Sequence, residues 1–205
     1  MATVLTTPRE TTIPDPPLAR FLFSDARMAP VWAVVRVYVG WQFLAAGWEK
    51  LTGAGWVGAD AGKSMAGFAA GAIKAAGAAH PSVTPYYAWF LQHFVVPAPA
   101  AWGYAITFGE LLVGLGLIVG LFTGVAAFFA GLMNVNYLLA GTLGTMAVNP
   151  PLFVLATGLV LAWKVAGLIG LDYFALRLIG VPGAPGKLLR RPTSTAKARA
   201  RASAV

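Results

Sequence analysis

The chain has 205 residues, of which 58% are hydrophobic and 11% charged, and 15 Lys and Arg against 7 Asp and Glu give a net charge of +8. Soluble domains carry about a quarter of their residues charged, so this composition excludes an ordinary cytosolic globule and a disordered chain. The absence of cysteine excludes disulfides, thiolate metal sites and thiol chemistry on this polypeptide. These exclusions leave a polytopic membrane protein.

The N-terminal segment, residues 1–28, is rich in Pro and Thr and lacks the apolar core of a secretory signal. We therefore expect a flexible cytoplasmic arm there. A first membrane helix is predicted over residues 31–51, because about 20 apolar residues span a hydrocarbon core about 30 Å thick.

The long connection over residues 52–100 has a pattern of its own. Residues 60–79 are rich in Ala and Gly and predict a weak helix against the membrane surface or the bundle, which Pro81 and Pro85 end. Residues 86–96 are too few to cross a membrane but carry the Trp and Tyr typical of its interface. We expect a re-entrant or surface helix at that position.

Three further membrane helices are predicted from a run of 53 residues, 111–163, without Asp, Glu, Lys or Arg. They are placed over residues 102–121, 124–143 and 152–171, each close to the ~20 residues that one crossing needs. The short connections between them favour antiparallel neighbours. The predicted fold is an all-α integral membrane four-helix bundle, residues 29–175, with a long extracytoplasmic loop after the first helix.

Basic residues decide the predicted orientation, because they favour the cytoplasmic side of a membrane. The C-terminal tail, residues 176–205, carries seven of them, against Lys63 and Lys74 in the 52–100 loop. We expect a multi-pass protein of the plasma membrane with both termini cytoplasmic. The lipid bilayer is the expected partner of the basic tail, and no nucleic acid is expected.

Polar side chains inside the predicted helices are candidate functional residues, because lipid disfavours them and they face the bundle interior or a pathway. Arg36 and Glu110 are expected to meet in a buried ion pair, which either positions a ligand or only fixes helix register. Lys164 either extends to the headgroups or faces inward beside Arg36. Asn134 and Asn136 point about 200° apart on one helix, so one of them forms interhelical hydrogen bonds or binds a ligand.

Small and polar residues recur along one face of the first helix at intervals of four and three: Arg36, Gly40, Phe43, Gly47 and Lys50. The two glycines either let a neighbouring helix pack closely or admit a flat ligand to the backbone.

Four stretches carry a resemblance to a known family: Arg36–Leu51, Phe108–Thr123 with its Gly-Glu-Leu sequence, Asn149-Pro150, and the closing Gly170-Leu171-Asp172. Together they resemble the DoxX superfamily and, within it, the DoxD branch, the large membrane subunit of thiosulfate:quinone oxidoreductase. The likeness extends over about residues 30–175.

The resemblance implies oxidation of thiosulfate to tetrathionate with quinone as the electron acceptor. The sequence has no flavin, nicotinamide, metal-cluster or haem motif, so quinone is the expected cofactor and no metal site is expected. In this hypothesis Glu110 carries a proton and Arg36 or Lys50 polarises a quinone oxygen. His80 and His93 are expected to be solvated or structural.

The same hypothesis places quinone between the glycine-lined faces of the first two helices, with Gly40, Gly47, Trp48, Asn134 and Lys164 as binding residues. The anionic sulfur substrate would approach from the outer face, attracted by Lys50.

A second interpretation is non-catalytic. The chain would then be a membrane anchor or assembly subunit for a redox partner, such as a small partner subunit, with the polar residues holding its helices together. A small-solute carrier is a third interpretation, although the sequence shows neither broken helices nor a two-fold repeat.

Overall fold

The structure is a computed structural model that describes residues 15–142 and 149–179, and every regular element in these ranges is helical. The helices are α1 (Pro17–Ser24), α2 (Ala29–Thr52), α3 (Lys63–Ala76), α4 (Pro85–Phe90), α5 (Pro99–Val119), α6 (Thr123–Leu139), α7 (Asn149–Leu161), α8 (Trp163–Ala166) and α9 (Asp172–Ile179). Single 3-10 turns occur at Ala26–Met28 and Gly58–Asp60, and a π-helical turn at Leu91–Val95 extends α4.

Two helical stretches are long and apolar enough to cross a membrane, Ala26–Thr52 and Pro99–Val119, with mean hydropathies of 1.2 and 1.6. Helices α6 and α7 are also apolar but shorter, at 17 and 13 residues. The fold is therefore all-helical in the described ranges, with two candidate membrane-spanning helices.

Helices α2, α5, α6 and α7 pack together as a helical core in which α2 lies on α5, α5 on α6, and α6 on α7. Helices α2 and α5 are antiparallel, because Gly40 of α2 lies against Leu117 of α5 whereas Gly47 lies against Leu111. We call the end of the core that holds the last turn of α2 the Lys50 end, and the opposite end the Arg36 end. Helices α3 and α4 and the π turn cover the Lys50 end through a second apolar cluster.

Glycines bring the backbones of α2 and α5 into direct contact. A Cβ atom on Gly114 would lie 2.5 Å from the Leu44 nitrogen, and one on Gly47 would lie 2.9 Å from the Leu111 nitrogen. The neighbouring helix thus fills the space at these glycines, as it does at Gly40. The expectation that quinone enters between these two faces is wrong, because no room for a flat ligand exists there.

Replacing Gly114 with Ala should destabilise the protein by about 2 kcal/mol or more, because overpacking against backbone forces the two helices apart. Thermal unfolding in detergent measures this effect. The control is Gly71→Ala in α3, where an added Cβ has no neighbour within 4 Å and should leave the melting temperature unchanged or raise it. Equal melting temperatures for the two variants would contradict the close-contact assignment.

The last part of the chain differs from its prediction. A continuous helix was expected over 152–171, but α7 ends at Leu161 and α8 at Ala166. The glycine-containing turn that follows donates backbone hydrogen bonds to the end of α5, from Leu171 N to Val119 O at 3.3 Å and from Asp172 N to Gly120 O at 2.7 Å. This turn then leads into α9, which the sequence did not predict.

The predicted flexible arm also contains ordered structure. Residues 17–28 form α1 and a 3-10 turn, and the Trp32 indole donates a 2.7 Å hydrogen bond to the Leu22 carbonyl.

Within the 52–100 loop, the helices expected over 60–79 and 86–96 correspond to α3 and to α4 with its π turn. The start of the arm, residues 1–14, and the basic tail from residue 180 lie outside the described residues, as does part of the α6–α7 turn.

Candidate functional site

Glu110 is the centre of the most buried polar cluster at the Lys50 end. Its Oε2 accepts a 2.7 Å hydrogen bond from Lys50 Nζ, and its Oε1 accepts a 2.6 Å hydrogen bond from the Tyr137 hydroxyl. Glu110 is 1% exposed. A carboxylate at this depth requires such partners, since an unpaired buried charge costs several kcal/mol.

Lys50 connects this cluster to the protein surface. It lies in the last turn of α2, and the antiparallel packing brings that turn to the level of Glu110 on α5. Its side chain is 17% exposed, against 2% for Glu110, and its Nζ lies 5.2 Å from the centre of the Trp56 ring. A cation–π contact of this kind helps to hold the ammonium in place, and the side chain keeps a partial exposure to the surface.

A largely apolar cavity of about 520 Å³ lies between α4, its π turn, α5 and α6. Its walls are mainly aliphatic and aromatic: Met65, Phe68, Phe90, Leu91, Val95, Trp102, Ala105, Ile106, Gly109, Leu112, Val113, Phe129, Leu132 and Met133. Three polar side chains also line it: Tyr87, Asn136 and Tyr137. Pockets of this size and character bind organic ligands, with a few polar groups fixing the orientation.

The polar side chains of the cavity are already hydrogen-bonded to one another or to their helix. The Tyr87 hydroxyl donates to Asn136 Oδ1 at 3.3 Å, and Asn136 Nδ2 donates to the Leu132 carbonyl at 2.7 Å. Burial raises the pKa of Tyr87 to about 12, so its hydroxyl keeps its proton at neutral pH. Tyr137 both lines the cavity and donates a hydrogen bond to Glu110, and thereby links the buried carboxylate to the cavity.

Arg36 does not meet Glu110. Its guanidinium donates from Nη1 to the Leu117 carbonyl at 2.8 Å and from Nη2 to the Ile169 carbonyl at 2.6 Å. The expected ion pair is wrong because Gly47, which lies beside Glu110, is eleven residues from Arg36 along α2, or about 16 Å. No arginine side chain reaches that far.

Arg36 instead belongs to a structural cluster at the Arg36 end. Asp172 accepts hydrogen bonds from the backbone nitrogens of Phe122 and Thr123, at 2.7 and 2.8 Å, and so caps the start of α6. Asp172 is 1% exposed and Arg36 is 3% exposed. Together they tie the end of α5, the start of α6 and the turn before α9.

Three other predicted site residues, Lys164, Trp48 and Asn134, form no hydrogen bond with Glu110 in the described part of the chain. Lys164 is exposed, with Nζ 5.8 Å from the Trp163 ring, so it extends outward rather than joining a buried pair. Trp48 is exposed on α2. Asn134 is buried in the core, and its Nδ2 has no hydrogen-bond partner in the described part of the chain. His80 and His93 are exposed, and His93 stacks on Trp89.

Tyr87 and Tyr137 are not among the site residues predicted from the sequence. Tyr137 follows Met133 by one helical turn, so a search for polar residues on the stripe facing α5 would have found it. Tyr87 lies in the covering segment, and nothing in the sequence indicates that this segment folds back over α5 and α6.

Comparison with known proteins supports the resemblance to the DoxX superfamily but does not test the resemblance to its DoxD branch. The DoxX family model matches residues 31–143. Neither curated proteins nor solved structures gave a match. Family membership and the two apolar helices indicate a membrane protein. Because the matched range is more than half of the 205 residues, the chain belongs to the DoxX family.

Proposed function

We propose that this chain is the membrane subunit of a redox system, that it binds quinone in the cavity beside Tyr137, and that Glu110 relays the protons for quinone reduction. One observation carries the proposal: the hydroxyl that lines the apolar cavity is 2.6 Å from a buried carboxylate. The four packed helices would cross the plasma membrane with both termini in the cytoplasm.

The cavity suits a quinone ring for chemical reasons. A quinone has a flat apolar ring and two carbonyl oxygens that only accept hydrogen bonds. Aromatic and aliphatic walls match the ring, and the hydroxyls of Tyr87 and Tyr137 also line the cavity. Either hydroxyl would donate to a quinone oxygen by turning from its present acceptor, Asn136 Oδ1 or Glu110 Oε1. Three wall residues of the cavity, Leu112, Phe129 and Leu132, are exposed on the outer faces of α5 and α6. A ligand dissolved in lipid would therefore reach the cavity from the side.

The hydrogen-bonded chain from Lys50 through Glu110 to Tyr137 supplies protons to the ring. Reduction of quinone to quinol takes up two electrons and two protons. Tyr137 donates a proton to the reduced ring oxygen and is reprotonated by Glu110 in its acid form, Lys50 reprotonates Glu110, and water at the surface reprotonates Lys50. The relay runs twice for each quinone that is reduced. In this proposal Tyr137 acts on the quinone oxygen, which was the role expected for Arg36 or Lys50.

The DoxD-like resemblance supplies the electron donor in this proposal. Two thiosulfate ions lose one electron each and join through a new sulfur–sulfur bond to form tetrathionate, and the quinone accepts both electrons. The dianions would approach the Lys50 end, where the Lys50 ammonium reaches the surface.

The direct test is quinone reduction by purified protein in detergent. Added thiosulfate should reduce a quinone analogue in a ratio of two thiosulfate ions to one quinol, with the chain alone or with its small partner subunit. If quinone neither binds nor is reduced in either case, the proposal fails. The non-catalytic alternative, a membrane anchor or assembly subunit for a redox partner, would then be favoured.

The proposed topology gives a separate prediction. Because the chain lacks cysteine, single cysteines report their own accessibility. Ala78→Cys lies in an exposed turn after α3 and Ser24→Cys at the exposed end of α1. In intact cells, a membrane-impermeant maleimide should label Ala78→Cys and should label Ser24→Cys only after lysis. Labelling of both, or of neither, before lysis would contradict four crossings.

A further inference from the structure

A second apolar cavity of about 400 Å³ continues from the first along the seam between α5 and α6. The two cavities share Leu112, Val113 and Phe129 in their walls. The second extends as far as Val119 on α5 and Phe122 at the start of α6. Together they form one groove, which we call the α5–α6 groove.

The groove follows a regular stripe on each helix. On α6 its wall residues recur every three or four positions from Tyr137 to Phe122. Fifteen residues at 1.5 Å each give a length of about 22 Å, most of the ~30 Å hydrocarbon core of a membrane. The smallest residues in its walls are Ala105, Gly109, Gly116 and Ala126. An added Cβ on Gly116 would lie 3.4 Å from the Ala126 Cβ, so α5 and α6 are in ordinary contact at this point.

The two cavities differ in the polarity of their walls. Tyr87, Asn136 and Tyr137 line the cavity at the Lys50 end, whereas the 400 Å³ continuation is lined entirely by aliphatic residues, glycine and phenylalanine. A single ligand that fills the groove therefore has a polar head and a long, unbranched or methyl-branched apolar tail.

We propose that the α5–α6 groove binds the isoprenoid tail of a long-chain quinone whose ring occupies the cavity at Tyr137. The inference rests on the proposed function and specifies its substrate class as polyprenyl quinones rather than short-chain ones. The continuity of the groove with the polar cavity favours this occupant over a membrane lipid.

The seam between α6 and α7 provides a comparison within the same protein. It holds a cavity of about 360 Å³ lined by residues such as Ala127, Gly131, Phe153 and Thr157. The Thr157 hydroxyl donates to its own helix at Phe153 O. This cavity shares only Leu132 with the cavity at Tyr137. It has space for an apolar chain, but it is not lined by Tyr87, Asn136 or Tyr137, the polar side chains proposed to face the quinone ring.

The test is a binding series with quinones that share one ring and carry one, two, three or four isoprene units. Binding is measured as quenching of tryptophan fluorescence, with quinone expressed as a mole fraction of the detergent. Trp102 lines the ring cavity and is one of the reporters. The wild-type protein should bind the four-unit quinone about tenfold more tightly than the one-unit quinone, because the tail gains packing contacts in the groove.

Matched variants show whether the preference for a long tail comes from binding in the groove or from partitioning of the quinone into the detergent. Gly116→Leu places a side chain in the α5–α6 groove and should reduce the tail preference to about twofold or less, while one-unit binding stays the same. Gly131→Leu makes the same change in the α6–α7 seam and should keep the full preference. Should Gly116→Leu fail to fold, Val125→Phe at the exposed wall of the groove is expected to reduce the preference as well.

The outcomes are distinguishable from a failure of the proposed function. Equal binding of all tail lengths by the wild-type protein would overturn the tail site but not the quinone site. The same preference in wild type and in both groove variants would also overturn the tail site. No binding of any quinone would overturn the quinone site and the tail site together.

Discussion

Replacing Glu110 with Gln should lower the rate of quinone reduction by about 100-fold or more, the usual size of a lost proton-transfer step, while quinone binding changes little. Gln keeps the shape of the side chain and can still accept a hydrogen bond from Tyr137 or Lys50, but it cannot hold a transferable proton. The measurement is steady-state quinone reduction beside quinone binding in the same detergent.

Controls separate proton transfer from the structural role of the ion pair. Glu49→Gln changes an exposed neighbour of Lys50 and should leave turnover unchanged. Tyr137→Phe removes only the hydroxyl between Glu110 and the cavity, leaves the Lys50–Glu110 pair in place, and should reduce turnover as strongly as Glu110→Gln. Normal turnover in Glu110→Gln would refute the relay, and so would normal turnover in Tyr137→Phe.

The sequence identified two residues of the site correctly but not how they pair. Glu110 and Lys50 were both predicted site residues, yet Glu110 was paired with Arg36. The position of Glu110 along its helix can be read from the sequence. Its partner on the neighbouring helix cannot, because that depends on how far the two antiparallel helices are shifted along each other. Contacts between Gly40 and Leu117 and between Gly47 and Leu111 set that offset here.

The cavity could not be predicted from the sequence, because it forms between segments far apart in the chain. Leu91 and Val95 from the covering segment meet Gly109 on α5 and Met133 on α6. Each of these residues is ordinary in an apolar helix. By contrast, α2 and α5 are long apolar stretches, which composition and length alone reveal.

The glycine stripe shows how one pattern supports two functions until packing is known. Gly40 and Gly47 fit either a ligand or a close helix contact, and the α5 backbone occupies that space. Gly109 and Gly116, which are not among the predicted site residues, line the α5–α6 groove. An added Cβ on either would lie 3.4 Å from the nearest α6 side chain, an ordinary contact distance, against 2.5 Å from the α2 backbone at Gly114. How closely a neighbouring helix approaches a glycine depends on packing, which the spacing of glycines in the sequence does not show.

Replacing Arg36 with Met should destabilise the protein by about 3–5 kcal/mol, because two carbonyls lose a charged donor and each such loss costs about 1–3 kcal/mol. In a chain of this length that lowers the melting temperature by about 10 °C. The variant leaves the carbonyls of Leu117 and Ile169 without their donor and the buried Asp172 without its nearby positive charge. Thermal unfolding in detergent measures the loss.

Two further variants decide whether the Arg36 end is the structural cluster described above. Arg27→Met removes an exposed arginine whose ion-pair partner among the described residues is Asp25, and its melting temperature should match that of the wild type. Asp172→Asn combined with Arg36→Met should cost less than the sum of the single variants, because the two charges stabilise each other. If Arg36→Met melts with the wild type, the cluster does not hold the helices together, and a role for Arg36 in binding a ligand would have to be reconsidered.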